Sequence, residues 1–387
     1  MDKSKIDNQE SILSGIEDSL DKVFNEYSEF NHEFNGTTPV KFKSYLSDSE
    51  YSVEPSSYLF RFDRDAYFEE LGLWENKQVN STHNETVDYI KTEKLVPIFT
   101  QLIQAIERKR VAPFIGAGLS IPLGYPSWSK ALTDISEKIY TRKNPVTEQL
   151  IINGEFLEVA EKLYNKDKRS FTTYISDNFY FDPDLKKEDI SIGALKHLPE
   201  ISHGCVITTN FDRIIENLFK LHIKSFDGIM LGEQINSSFI SDLISGNCCL
   251  LKLHGDVGQD NTYVFTKSQY KKAYGETVKF ENKLPKTLRQ IFISHSLLFL
   301  GCSLEKDWTL ELFEKVMKDG QFEIPQHFAI LPKPNSKAKK TEKENYLREM
   351  NIKTIWYPAD KHEYVEKILS LAKDIANKKI SSRILKS

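Results

Sequence analysis

The chain opens on helical spacing. Ile12, Leu13, Ile16, Leu20, Val23, Phe24 and Tyr27 recur every three or four positions between residues 8 and 30, which predicts an amphipathic helix. Its opposite face, Glu17, Asp18, Asp21, Glu26 and Glu29, stays in water. The apolar stripe must be covered, either by its own domain or by a second subunit. Residues 37 to 94 hold many aromatics, including Phe42, Tyr51, Tyr58, Phe60, Phe62, Tyr67, Phe68 and Trp74, but no sustained period, and they read as irregular and without a motif. Helical spacing returns from Leu95 to Ile106, with Pro97 tolerated in the first turn. This change of texture puts a boundary between residues 75 and 95, dividing an accessory or oligomerisation region, 1–94, from a larger domain, 95–387.

From Val111 onward short apolar runs alternate with amphipathic segments. Runs at 111–115, 205–209, 249–253, 297–301, 328–331 and 352–356 predict strands, and helical faces recur at 128–139, 156–164, 214–219, 308–316 and 364–376. Such alternation indicates an α/β fold of Rossmann-like type, a mostly parallel sheet with helices on both faces. Ligands in such sheets sit at the carboxyl ends of the strands.

Composition narrows the classes without naming one. A chain of 387 residues with 40% apolar content can bury a large core. The formal net charge of −4 argues against a dedicated nucleic-acid binder, although the first fifty residues are acidic and the last fifty basic, so direct nucleic-acid contact stays open. Lys333 to Lys343 reads as an exposed loop. Cys205, Cys248, Cys249 and Cys302 form no C-x-x-C pair, so no metal site is expected and the thiols read as buried and reduced. The polar start lacks the pattern of a signal peptide and no apolar run is long enough to span a bilayer, which predicts a cytoplasmic protein without membrane contact.

The residues after each strand carry the chemistry. The first strand ends in Gly116-Ala117-Gly118-Leu119-Ser120, a turn whose glycines let backbone approach a diphosphate and whose amides can point at it. The usual third glycine of a dinucleotide loop is replaced by Ile121. Later strands end in Thr208-Thr209-Asn210-Phe211-Asp212, His254-Gly255-Asp256 and Gly301-Cys302-Ser303.

These motifs, with Ile121-Pro122 and Pro126-Ser127-Trp128, resemble in order and spacing the sirtuin-like NAD-consuming domains of bacterial anti-phage defence over residues 108 to 310. The resemblance implies NAD as substrate, no metal, and a glycohydrolase releasing nicotinamide and ADP-ribose. Two departures from the deacylating sirtuins matter: the four-cysteine zinc module is missing, and Ile121 to Pro126 replaces the aspartate, phenylalanine and arginine of the nicotinamide pocket. Water is then the expected acceptor.

Cleaving the glycosidic bond builds oxocarbenium-like charge on the ribose, so groups are needed around its hydroxyls. Asn210 can bind a ribose hydroxyl or position water, since an amide donates and accepts without titrating, or it can be a plain turn residue. His254 is the expected base near neutrality. Asp212 either caps the following helix or contacts ligand. Gly116, Ala117, Gly118, Ser120, Thr209, Gly255, Gly301 and Ser303 are the expected nucleotide contacts, with Gly255 leaving room for the sugar. Asp307 and Trp308 read as a helix-start acid and a core side chain, and His203 and His295 as structural. The family's domains are silent until triggered by a fused sensor, an assembly or a partner. The expectation here is a homo-oligomer or a separate partner, such as a HerA-type DNA translocase or an Argonaute-like protein. Rival readings are a non-catalytic sensor of NAD or ADP-ribose, and a protein ADP-ribosyltransferase or deacylase.

Overall fold

The computed structural model describes residues 3–37, 39–43, 49–182, 184–222, 225–234, 238–305 and 307–385, the side chains of 3–13, 75–76 and 78–81 excepted. Two compact units divide the chain, Met1–Asn84 and Glu85–Ser387.

The first unit contains helices Lys3–Glu26 and Ser28–Asn35, a hairpin of β1 (Val40–Lys43) and β2 (Glu50–Val53), helix Pro55–Phe62, and most of helix Arg64–Thr92. The described residues between 37 and 94 thus form a hairpin and helices rather than irregular chain. Their core is aromatic: Phe30, Phe60, Tyr67 and Leu71 are buried together, with Leu20, Phe24 and Tyr27 of the predicted stripe packed on them. Large rings on neighbouring turns widen the buried face, and the 3.6 period is lost to inspection. Ile16 and Val23, also on the stripe, are exposed within this unit, and the side chains of Ile12 and Leu13 lie outside the described ones.

The second unit is built on a seven-stranded sheet in which every pairing is parallel. Its strands are β3 (Val111–Ile115), β4 (Cys205–Thr208), β5 (Gly228–Leu231), β6 (Cys249–Lys252), β7 (Ser296–Leu300), β8 (His327–Pro332) and β9 (Ile352–Tyr357), in the order β5-β6-β4-β3-β7-β8-β9. The fold is Rossmann-like, as expected. Helices cover both faces, so β3, β4, β6 and β7 are buried at every position and, apart from Thr208, Lys252 and Ser296 at their ends, read as apolar runs. β5 escapes the sequence reading because it is four residues long and starts at a glycine at the sheet edge. The Lys-rich segment is largely helical, Lys337–Arg348, rather than a loop; of that helix only Leu347 is buried, too little to leave a periodic signal.

Pro113 occupies the middle of central strand β3. Val111 and Ile115 accept from His203 and Thr209 on the β4 side, at 2.9 and 3.1 Å, so alternation turns the missing Pro113 N–H to that side as well. Accordingly β3 pairs with β7 over five positions but with β4 only at Phe114↔Ile207 and Ile115↔Thr208.

Candidate functional site

β3 and β7 are neighbours whose onward connections leave in opposite directions, β3 towards β4 and β7 towards β8. This is the switch point at which open α/β sheets hold ligands. Here the two glycine turns meet backbone to backbone. Gly116 N donates to Leu300 O at 2.9 Å and Gly118 N to Gly301 O at 3.0 Å. A Cβ on Gly116 would lie 2.5 Å from Gly301 O, and one on Gly301, whose φ is +66°, 2.8 Å from Leu119 N. The expectation that both glycine amides face an anion is therefore corrected, since they are spent on the neighbouring turn. Among the described residues the Ala117 amide finds no acceptor, and it is the donor left for a ligand. Ser303 is exposed on the β7 side and makes no hydrogen bond to the groups below.

The end of β4 is shaped by Thr208 rather than Thr209. Thr208 Oγ1 donates to Ile115 O at 3.0 Å and accepts from Asn210 N at 3.0 Å, folding the chain so that Asn210 turns inward. The Asn210 amide nitrogen donates to Gly116 O at 3.2 Å and to Ser120 Oγ at 2.9 Å. That fixes its orientation, because a carbonyl can only accept. Its Oδ1 is buried without a partner. Beside it Asp212 accepts from Ile214 N through Oδ1 at 3.1 Å, the capping role, while its buried Oδ2 has no partner. Burial pushes the Asp212 carboxyl above its ordinary range, against the Lys252 charge and the Ser120 hydroxyl. Gly116, Ser120, Asn210 and Asp212 are thus drawn into one closed cluster.

His254 stands across Phe211, their rings 6.1 Å apart. Its Nε2 is 2.7 Å from the Tyr270 hydroxyl. Burial lowers the imidazole to about 4, opposed by the Thr209 carbonyl, so it is neutral at pH 7 with Nε2 accepting from Tyr270. The room expected beside Gly255 is also taken: with φ at +92°, its Cβ would meet Thr262 Oγ1 at 2.5 Å. Thr209 is half-buried and donates its amide to Ile115 O.

One residue unmarked in the sequence reading ties the two strand ends together. Lys252, fully buried at the end of β6, gives its Nζ to Asp212 O at 2.6 Å, Phe211 O at 3.2 Å, Asp256 Oδ1 at 2.7 Å and Glu216 Oε1 at 2.8 Å. Arg213 completes the network, its Nε and Nη2 both donating to Asp256 Oδ2, at 3.0 and 2.5 Å. Burial pulls Lys252 down, but the two carboxylates outweigh it and hold it charged. The available signal was a lysine closing the apolar run Cys249-Leu250-Leu251, four residues before Asp256.

Other expectations resolve simply. Asp307 accepts from Leu310 N at 2.9 Å as a helix cap, and Trp308 packs on Tyr270 and Tyr274. None of the four cysteines is in a disulfide, and burial pushes the Cys302 thiol upward. Among the described residues no cluster of three or more His, Cys, Asp or Glu could hold a metal, and no helix is long and apolar enough to cross a membrane.

Comparison with known proteins points the same way as the strand-end motifs. Residues 204–355, which include Asn210 and His254, match the family model of the SIR2-like domain. The chain is 23% identical over 282 residues to the NAD(+) hydrolase ThsA of Bacillus cereus (strain MSX-D12), covering 69% of this chain and 55% of that protein. It is 25% identical over 253 residues to NAD(+) hydrolase ThsA of Enterococcus faecium, covering 63% and 46%, and 24% identical over 247 residues to Defense-associated sirtuin 2 of Bacillus subtilis, covering 62% and 23%. The chain therefore spans about half the length of these hydrolases or less. The resemblance drawn from the strand-end motifs is borne out: residues 204–355 match the SIR2-like domain, and the chain is similar to proteins named NAD(+) hydrolase and defense-associated sirtuin.

Proposed function

We propose that the chain is an NAD+ glycohydrolase that depletes NAD in anti-phage defence. The observation that carries this reading is Asn210, whose Oδ1 is a buried, oriented and unpartnered acceptor beside the glycine turn at the switch point. A buried acceptor left unmatched costs about 1–3 kcal/mol, which a ribose hydroxyl or an attacking water recovers by donating to it. In the reaction the bond between ribose C1′ and nicotinamide nitrogen breaks with its electron pair leaving on nicotinamide. Water then bonds to C1′, and its proton passes to a base or to solvent. His254 takes that proton once Nε2 exchanges the Tyr270 hydroxyl for the water. A weak base suffices, because water bonded to an oxocarbenium centre is strongly acidic. Ala117, Gly116, Gly118, Gly301, Ser303 and Thr209 surround the diphosphate and sugar, and Asp212 supports the Ser120 side.

Asn210 and Asp212 are almost wholly buried, so substrate entry requires the turn at 116–124 to open. That closure agrees with a domain held silent until triggered by self-association of a cytoplasmic homo-oligomer through residues 1–94, or by a partner such as a HerA-type translocase or an Argonaute-like protein. Nicotinamide release by wild type, Asn210→Ala and His254→Ala, each across a range of protein concentrations, tests the reading. Both substitutions are expected to lower turnover by roughly 10³-fold without loss of fold. If wild type releases no nicotinamide in any assembly state, the same pocket is a nucleotide sensor instead.

A further inference from the structure

A cavity of about 510 Å³ opens at the amino ends of β3, β7 and β8, the opposite end of the sheet from Asn210 and His254. That volume lies within the ~300–1,000 Å³ typical of small-molecule sites. Its lining is mixed: Ile293, Ile324 and Pro325 are half-buried apolar side chains among polar neighbours, and Ala105 and Phe328 are buried beneath them. Two cations stand on its rim, Arg108 and Arg110. Among the described residues neither guanidinium forms an ion pair or a side-chain hydrogen bond, although Glu323 also lines the cavity.

The arginines are held in place by backbone. Helix Val96–Glu107 ends with Lys109 N donating to Ile106 O at 2.9 Å and Arg110 N to Ala105 O at 3.1 Å, with Lys109 left-handed at φ +55°. This paired closure is the Schellman motif, usually made with glycine, and it sets Arg108 and Arg110 on either side of a fixed turn. Between the rim and the apolar wall lie three carboxamides. Gln101 accepts from Lys353 Nζ at 2.8 Å through Oε1, which leaves its NH2 free to donate. Gln326 donates its NH2 to Asn351 O and His327 O, which leaves its oxygen free to accept. Gln104 makes no side-chain hydrogen bond among the described residues.

Two unpaired cations, a mixed donor and acceptor row and a half-buried apolar wall are complementary to a phosphate, the edge of a heterocycle and its face. We propose that this cavity binds a nucleoside phosphate, with the phosphate on Arg108 and Arg110 and the base against Ile324, Pro325 and the carboxamides. It is a second site, independent of the NAD-cleaving reading.

Isothermal titration of AMP and ADP, with inorganic phosphate and adenosine as separate probes, into wild type, the double variant Arg108→Ala/Arg110→Ala and Asn210→Ala tests it. A nucleotide is expected to bind wild type and Asn210→Ala alike and the double arginine variant at least tenfold more weakly. Phosphate alone and adenosine alone are each expected to bind at least tenfold more weakly than the nucleotide. Both arginines are exposed, so the double variant keeps its melting temperature and its NAD turnover. The proposal is overturned by no nucleotide binding at millimolar concentration, by equal binding to the arginine variant, by binding abolished in Asn210→Ala, or by phosphate binding as tightly as nucleotide. A lower melting temperature with unchanged binding would likewise overturn it, assigning the arginines to the helix dipole alone.

Discussion

At the carboxyl ends of the strands Lys252 is sealed among two carboxylates and two backbone carbonyls, and Arg213 is forked onto Asp256. At the amino ends Arg108 and Arg110 stand in water around an open cavity and pair with nothing in the described chain. The same kind of charge serves two purposes. A buried pair contributes little net stability against an apolar replacement, but it fixes what it touches, here the backbone that carries Asn210 and the turn after His254. An unpaired exposed cation fixes nothing and keeps its full capacity for an anion.

The sharpest way to break this contrast is Lys252→Met. It strands Glu216 without a counter-charge and leaves Asp256 to Arg213 alone, and a loss of about 3–5 kcal/mol is expected in chemical denaturation. A loss below 1 kcal/mol would mean that the network is not the clamp between the strand ends. Next comes Gly255→Ala, which meets both a positive φ and Thr262 at 2.5 Å; about 2 kcal/mol is expected by the same measurement. A neutral result would return the space beside Gly255 to a ligand.

A smaller effect separates burial from function. Burial holds His197 at about 4 and His327 at about 3, below the ordinary 6.5, so the unfolded chain binds more protons than the native state at mildly acidic pH. Their contribution is complete above 6.5 and is lost as the pH falls towards 4. Both His197 nitrogens lack a partner, and burial outweighs the nearby Glu366 and Glu200. His197→Leu is therefore expected to reduce the fall in melting temperature between pH 7 and 5 by on the order of 5 °C. An unchanged acid limb would show that another group governs it. The smallest effect is at the open end, where Arg108→Ala should alter stability by no more than about 0.5 kcal/mol.

Much of the second unit was legible because a strand buried on both faces is largely apolar, as Val111–Ile115 and Leu297 to Leu300 are. The strand-end motifs also pointed to one crevice, and the coordinates bring Gly116, Ser120, Asn210 and Asp212 together there. What stayed hidden has physical causes. Tyr270, which occupies His254 Nε2, lies sixteen residues away on a helix with no local mark of the pairing. Gly116 and Gly255 looked like space for a ligand, yet their missing side chains admit Gly301 and Thr262, a distinction that composition cannot make. In the first unit rings such as Phe60 and Tyr67 pack in a cluster whose contacts reach across 30 or more residues, as from Asn31 to Tyr67, and leave no short-range rhythm.

Pro113 gives the sheet a fault line. With only two register pairs joining β3 to β4, the half-sheet bearing Asn210 and His254 is stitched to the half bearing the glycine turns mainly at its carboxyl tip. A force prying the halves apart would meet its least resistance along this seam, and the Asn210 bonds to Gly116 and Ser120 are the last stitches before it parts.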